Sequence, residues 1–172
     1  MSKVLIISPH NDDALIGCFL YLTNRIKFFE ISFNKSTNYI FFGSEELEGE
    51  RYEEAMRFAK DFNLIVADLE FNLITSEFDL VLAPSPESSH YYHKYFAYKS
   101  LDIKAKHRIF YSTDMTEWWV RPLPNDLREL KKDLLDKYFV YEKDLWRYDG
   151  RYYIFEGYVS PMWCENGYKC EA

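Results

Sequence analysis

The chain reads as a single-domain, Rossmann-like α/β fold with a doubly wound, mainly parallel sheet. Three observations predict this. Strand-length apolar runs alternate with helical patterns, from Val4-Leu5-Ile6-Ile7 through Asp79-Leu80-Val81-Leu82-Ala83 to Ile109-Phe110-Tyr111-Ser112, the signature of repeated strand-helix units. The first two of those runs end in polar, proline-containing loops followed directly by helical spacing. Finally, 172 residues at 48% hydrophobic composition suffice for one core, and no linker, internal repeat or low-complexity stretch divides them. One α/β domain is expected over residues 1–160, closing with a C-terminal helix and a hairpin, and residues 161–172 form a loosely held tail.

Each element follows from its residues. Leu15, Cys18, Phe19 and Leu22 fall at helical spacing, so residues 14–24 are expected as a helix with one face on the sheet, capped by Asp12 or Asp13. Ile26 to Phe33 reads as a second strand, residues 34–38 as a turn and Tyr39 to Phe42 as a short strand of its own. The acidic run from Glu45 to Glu54 opens a helix continuing through Ala55, Phe58, Ala59 and Phe62, its glutamates facing solvent. Leu64-Ile65-Val66 is a short buried strand, and Asp79 to Ala83 another, leading through Pro84-Ser85-Pro86 to a helix capped by Ser88 or Ser89. After the strand at 109–112 comes the stiff loop Arg121-Pro122-Leu123-Pro124, then a helix from Asn125 marked by Leu127, Leu130, Leu134 and Tyr138. Asp149-Gly150, between aromatic runs, signals a hairpin turn.

Bulk properties narrow the function. A net charge of −7 argues against a surface built to neutralise phosphates, so nucleic acid is not an expected partner. No stretch approaches about eighteen apolar residues, and the start is too short for a signal peptide, so a cytoplasmic protein without a membrane partner is expected. Cys18, Cys164 and Cys170 form neither an even framework nor a C-x-x-C pair and read as free thiols. No G-x-G-x-x-G follows the first strand and no P-loop occurs, which removes the fingerprint of a nucleotide-binding domain.

The chemistry concentrates at the ends of two strands. Ser8-Pro9-His10-Asn11-Asp12-Asp13 places an imidazole and two carboxylates on one short loop, and His90 and His93 share a helix face after the strand at 79–83. Ligands of open α/β sheets bind beyond the carboxyl ends of the strands, at the switch point. If these two strands are neighbours, the loops meet there. Taken singly, Asp12-Asp13 is a helix cap and either histidine an ordinary helix residue; their co-location, in a chain with only four histidines, favours chemistry. His107 is left as surface. A catalytic zinc takes three protein ligands and leaves one position open, and His10, Asp13 and one of His90 or His93 supply that set. Asp12 then remains as a general base and the other histidine as a donor to a developing oxyanion.

The segment at 8–13 resembles the Ala-His-Pro-Asp-Asp signature of the PIG-L/LmbE-like N-acetylglucosaminyl deacetylases, zinc hydrolases that remove acetyl groups from N-acetylglucosaminyl compounds. Arg51 and Glu54, followed by Phe62-Asn63, look like that family's Arg-x-x-Glu helix, and His90-Tyr91-Tyr92-His93 resembles its His-x-Asp-His motif. Lys131 to Tyr138 and Glu156 echo weaker C-terminal features. The resemblance spans most of the chain in order. It implies a deacetylase-like domain with His10, Asp13 and His93 as ligands of one Zn2+, Asp12 as general base, His90 as acid or oxyanion stabiliser, and Arg51 holding substrate or the loop. Tyr92 and Trp118 are candidates to contact the substrate, Trp118 by stacking on a sugar face. Another divalent metal would also suit such ligands. Asn11, Ala14 and Tyr92 depart from the family pattern, and Tyr92 removes a carboxylate beside His90, which either slows turnover or leaves another acid such as Glu87 to substitute. The reading is a metal-dependent amidohydrolase acting on a small N-acylated amino sugar or related conjugate, with homo-oligomerisation left open. Its alternative is a catalytically weakened, deacetylase-like module that binds a sugar or nucleotide.

Overall fold

Side chains of the first strand, β1 (Ser2–Ser8), alternate between two cores. Val4 and Ile6 enter one and Leu5 and Ile7 the other, which is why the strand reads as a continuous apolar run. The computed structural model describes residues 1–43, 47–67, 74–142, 145–146 and 149–160. Beside β1 lie β2 (Ser36–Phe42) and β4 (Phe78–Pro84), with β3 (Ile65–Val66) outside β2 and β5 (Ala105–Tyr111) outside β4. These five are parallel, in the order β3-β2-β1-β4-β5, and β8 (Tyr158–Val159) closes the β5 edge antiparallel. A separate ribbon pairs β6 (Arg121–Pro122) with β7 (Phe155–Glu156).

Helices cover both faces. Leu15 and Phe19 of α1 (Asp13–Leu22), Ala55 and Phe58 of α2 (Gly49–Asp61) and Leu135 and Tyr138 of α4 (Asn125–Tyr138) pack into the core that holds Val4 and Ile6. Phe96 and Ala97 of α3 (Tyr91–Lys99) pack into the core with Leu5 and Ile7. The expected doubly wound α/β architecture is therefore what the chain adopts. Its switch point falls between β1 and β4, whose central residues pair as Leu5↔Val81. Among the described residues no helix is long and apolar enough to cross a membrane.

Five local expectations are corrected. Residues 26–33 are not a strand: Phe28 and Ile31 pair across a tight turn in which Phe29 and Glu30 take φ of 50° and 64°, and a 3-10 turn at Phe33–Lys35 follows. The strand begins instead at Ser36, inside the polar run that reads as a turn. Asn38 makes this stable, because its buried side chain accepts from the Tyr21 hydroxyl at 2.9 Å and donates to the Phe33 and Ser36 carbonyls. Ile65 is 48% exposed, since β3 is a two-residue edge strand. Glu54 is buried rather than solvent-facing and accepts from the Tyr141 amide at 3.3 Å. Asp149-Gly150 does turn the chain, but into the helical turn α5 (Arg151–Ile154), with Asp149 bound to Arg151. The expected 161–172 tail, with Cys164 and Cys170, lies outside the described residues; Cys18 is buried as a free thiol.

Helix α1 carries the first polar loop and is seated directly on β5. A Cβ at Gly17 would fall 2.6 Å from Tyr111 Cε2 and 2.9 Å from the Ser112 carbonyl oxygen. The Tyr111 hydroxyl in turn donates to the Ile7 carbonyl under the loop. Gly17→Ala is expected to lower stability by about 1–3 kcal/mol through overpacking. An unchanged midpoint in urea unfolding would show that the helix can shift without cost.

Candidate functional site

The loop after β1 is braced by Ser8, whose hydroxyl donates to the His10 carbonyl at 2.6 Å and accepts from the Ala14 amide at 3.0 Å. Asp12 is the N-cap residue of α1, yet its side chain makes no capping hydrogen bond, and Asp13 turns back instead to accept from the His10 amide at 2.7 Å. Neither carboxylate serves as the helix cap expected of it. The second loop, after β4, ends in α3, whose N-cap is His90 and not Ser88 or Ser89. His90 Nδ1 accepts from the Tyr92 amide at 3.2 Å. An imidazole that accepts at Nδ1 is, when neutral, protonated at Nε2.

The two loops meet. His10 Nδ1 lies 3.0 Å from His93 Nε2, and each lies 3.1 Å from Asp13 Oδ2. A ligating nitrogen of His90 lies within 4.8 Å of those of His10 and His93, and its ring stacks on His93 at 4.7 Å. Three electron-pair donors converging at 3.0–3.1 Å demand a proton or a cation between them, and such a set could hold a metal ion. A tetrahedral ion with ~2.0–2.1 Å bonds would separate such atoms by roughly 3.3–3.4 Å, so a slight expansion admits one. Imidazole and carboxylate donors suit zinc and other divalent first-row metals.

Electrostatics agree with this demand. Burial opposes the charge on Asp13, but His93 and hydrogen bonds from both histidines outweigh it and hold its carboxyl well below the usual carboxylate range. Burial likewise opposes a proton on His93, while Asp13 and Asp114 favour it strongly enough to raise its pKa. His90 moves the other way. Partial burial and then the neighbouring His93 and His10 rings lower its pKa, which keeps it neutral.

The remaining expected residues spread outward from this point. Tyr92 is half-buried, with its ring 5.4 Å from that of His10. Asp12 is buried on the same loop. Arg51, on α2, lines a small hollow with Pro9, His10, Asn11, Gly43 and Leu47, and its guanidinium sits 5.0 Å from the Tyr141 ring. It also borders an open groove of about 550 Å³ formed with Glu48, Gly49, Glu50 and Tyr141. Trp118 is 55% exposed on the loop after β5, and no described contact joins it to the imidazoles. His107 is not simply surface: it is half-buried and stacks on Phe29 at 3.9 Å.

Sequence reasoning missed the third loop. Thr113 and Asp114 follow β5 at the same sheet edge, where Thr113 Oγ1 lies 2.9 Å and Ser88 Oγ 3.2 Å from His93 Nδ1. Besides Asp13, the carboxylate next to His93 is thus Asp114, while Glu87 is exposed. The signal was present: Ser112-Thr113-Asp114 is a third polar run ending a buried strand.

No family model matches the chain, and no curated protein does. Solved structures share its fold. A conserved protein from Thermus thermophilus, TT1542, has a TM-score of 0.55 at 16% identity, covering 94% of this chain and 96% of that one. GalB, the 4-carboxy-2-hydroxymuconate hydratase from Pseudomonas putida KT2440, has a TM-score of 0.55 at 16% identity, covering 89% and 83%. The A40926 pseudoaglycone deacetylase Dbv21 has a TM-score of 0.53 at 14% identity, covering 87% and 85%. The chain is thus similar in fold to enzymes of two named activities, a deacetylase and a hydratase, around one mostly parallel sheet.

Proposed function

We propose that the protein is a metal-dependent amidohydrolase that removes an acetyl or other acyl group from a small N-acylated amino sugar or related conjugate. The observation that carries this reading is the convergence of His10 Nδ1, His93 Nε2 and Asp13 Oδ2 within 3.0–3.1 Å of one another, from the loops and helix starts that follow two adjacent strands. Those three residues would hold one divalent ion, zinc by the resemblance of the 8–13 loop, with His90 at its edge. A bound ion of this kind would supply Lewis acidity at a carbonyl and lower the pKa of water towards ~7.

The chain's own residues then divide the work. Asp12 shares the β1 loop with two of the ligands and takes the proton of the attacking water, since a carboxylate at neutral pH is a competent acceptor. His90 is held neutral, with Nδ1 occupied by the Tyr92 amide. Its Nε2–H is therefore a ready donor to the oxyanion that develops on the acyl oxygen. Arg51 and Tyr92 stand on the His10 side, where the groove with Tyr141 has room for the rest of the substrate. Trp118 would join them only by a movement of its loop. The named activities of two fold neighbours, removal of an acetyl group and addition of water, are both compatible with a site that activates water.

The test begins with metal. Elemental analysis of purified wild-type protein is expected to give about one zinc or comparable ion per chain, and His10→Ala/His93→Ala is expected to give none. Wild type should then release acetate from members of a panel of N-acetylated amino sugars. A chain that takes up no metal even after zinc is added back would overturn the reading.

A further inference from the structure

We propose that Asp114 is a positioning residue that acts on His93 through two hydroxyls, fixing the imidazole as its Nδ1–H tautomer and aiming the Nε2 lone pair at the point shared by His10 and Asp13. The argument is a count of protons. An ionised carboxylate only accepts hydrogen bonds, and a hydroxyl has one proton to give. Ser88 Oγ donates to Asp114 Oδ2 at 2.8 Å, and Thr113 Oγ1 donates to Asp114 Oδ1 at 3.3 Å. With both protons directed to Asp114, the oxygens can only accept at their contacts with His93 Nδ1, 3.2 Å from Ser88 and 2.9 Å from Thr113. His93 Nδ1 then carries a hydrogen, and Nε2 can offer its lone pair once an ion takes the place of the proton it shares with Asp13 at 3.1 Å.

Asp114 is itself held in place. The Ser89 amide donates to its Oδ2 at 2.7 Å and the Ser89 hydroxyl at 3.1 Å. Burial works against its charge, and these bonds with the Ser88 hydroxyl and His93 outweigh burial and keep it ionised. Its own distance to His93 Nδ1, 3.9 Å, is beyond direct hydrogen-bond reach, so the hydroxyls are the link. The carboxylate thus comes from the loop after β5 while the histidine it orients comes from α3, and the two loops are locked together at the site. Outer partners of this kind set ligand orientation and basicity.

Asp114→Asn decides the matter. Oδ2 accepts three bonds, so the amide oxygen takes that position and the new NH2 faces Thr113. The Thr113 hydroxyl then turns its proton onto His93 Nδ1, favouring the Nε2–H form. Long-range proton-nitrogen NMR of metal-free, histidine-labelled Asp13→Ala protein at alkaline pH, in which no carboxylate holds a proton on His93 Nε2, should show Nδ1–H with Asp114 present and a shift toward Nε2–H when Asp114→Asn is added. With Asp13 intact, zinc affinity, read by competition with a chromophoric chelator, should fall about 10–100-fold, with the unfolding midpoint little changed. An unaltered tautomer overturns the proposal. If Asp114→Asn does not fold, Ser88→Ala/Thr113→Val removes both relay hydroxyls and must also shift the tautomer; an unaltered tautomer there overturns it equally. The affinity readout rests on the metal-hydrolase reading, whereas the tautomer readout does not. A wild type that binds no zinc therefore defeats only the former.

Discussion

Asp12→Asn is expected to retain a full complement of metal and to lose about 10²–10⁴-fold in kcat, the range associated with a positioned general base. The substitution is nearly isosteric and removes no helix cap, because the Asp12 side chain makes no capping hydrogen bond to α1. The ligand atoms on Asp13, His10 and His93 are held by their own contacts, the Asp13 carboxylate by the His10 amide and His93 by Ser88 and Thr113. Metal content and activity should therefore separate in this variant, whereas in His10→Ala/His93→Ala they fall together. That separation is the diagnostic. Asparagine retains the volume and one acceptor but cannot take a proton, so a structural role for Asp12 would leave kcat near wild type. Turnover within a few-fold of wild type, with metal bound, would remove Asp12 as the base and direct attention to another acceptor near the ion.

What could be read from the sequence and what could not divides along a physical line. The β1 loop and the His90/His93 pair were legible because each sits within a few residues of a strand end, where local pattern suffices. Their meeting was legible because an open α/β sheet brings strand ends together at its switch point. Asp114 was not, since its role depends on Ser88 and His93, reached through a separate strand. The N-cap of α3 was misread for a related reason. Ser88 and Ser89 have good capping chemistry, but Asp114 engages both hydroxyls, and His90 takes the cap instead. The strand at 36–42 was hidden by its polar start, Ser36-Thr37-Asn38, which is stabilised by pairing with β1 and by the Tyr21 hydroxyl. Exposure was also misjudged where the partner is distant: Glu54, placed among the solvent-facing glutamates, is buried, and so are Lys131 and Glu156, which stand out in the sequence only as echoes of C-terminal features.

The last of these carries the second large effect. Helix α1 breaks at Cys18, whose φ of −121° and ψ of 22° lie outside helical values. A break of this kind strands amide groups, and Glu156 takes them up, accepting from the Leu20 amide at 3.1 Å and from that of Phe19. The Tyr158 hydroxyl donates to the same oxygen, while Oε2 makes no hydrogen bond and faces Lys131 Nζ at 3.9 Å. Lys131 is fully buried and donates to the Phe155 carbonyl at 3.0 Å. Burial raises Glu156 from 4.5 to about 7 and lowers Lys131 from 10.5 to about 8, with each partner resisting the other's shift. Between pH 4.5 and about 7 the folded chain keeps a Glu156 proton that the unfolded chain has released, so this group's contribution declines as pH rises through that window. Between about 8 and 10.5 the folded chain lacks a Lys131 proton that the unfolded chain holds, so that group's contribution recovers as pH rises. Removing one partner sharpens the corresponding slope. Lys131→Met should cost about 3–5 kcal/mol near neutral pH, because Glu156 is left buried without its cation. Its stability should fall steeply as pH rises above the ordinary carboxylate range. Glu156→Gln should show the opposite slope, recovering toward alkaline pH, and Lys131→Met/Glu156→Gln should regain most of the loss with neither slope. Urea unfolding at acid, neutral and alkaline pH measures all three. Two single variants with the same flat pH response would show that solvent reaches the pair, and the kink in α1 would then need another source for its missing hydrogen bonds.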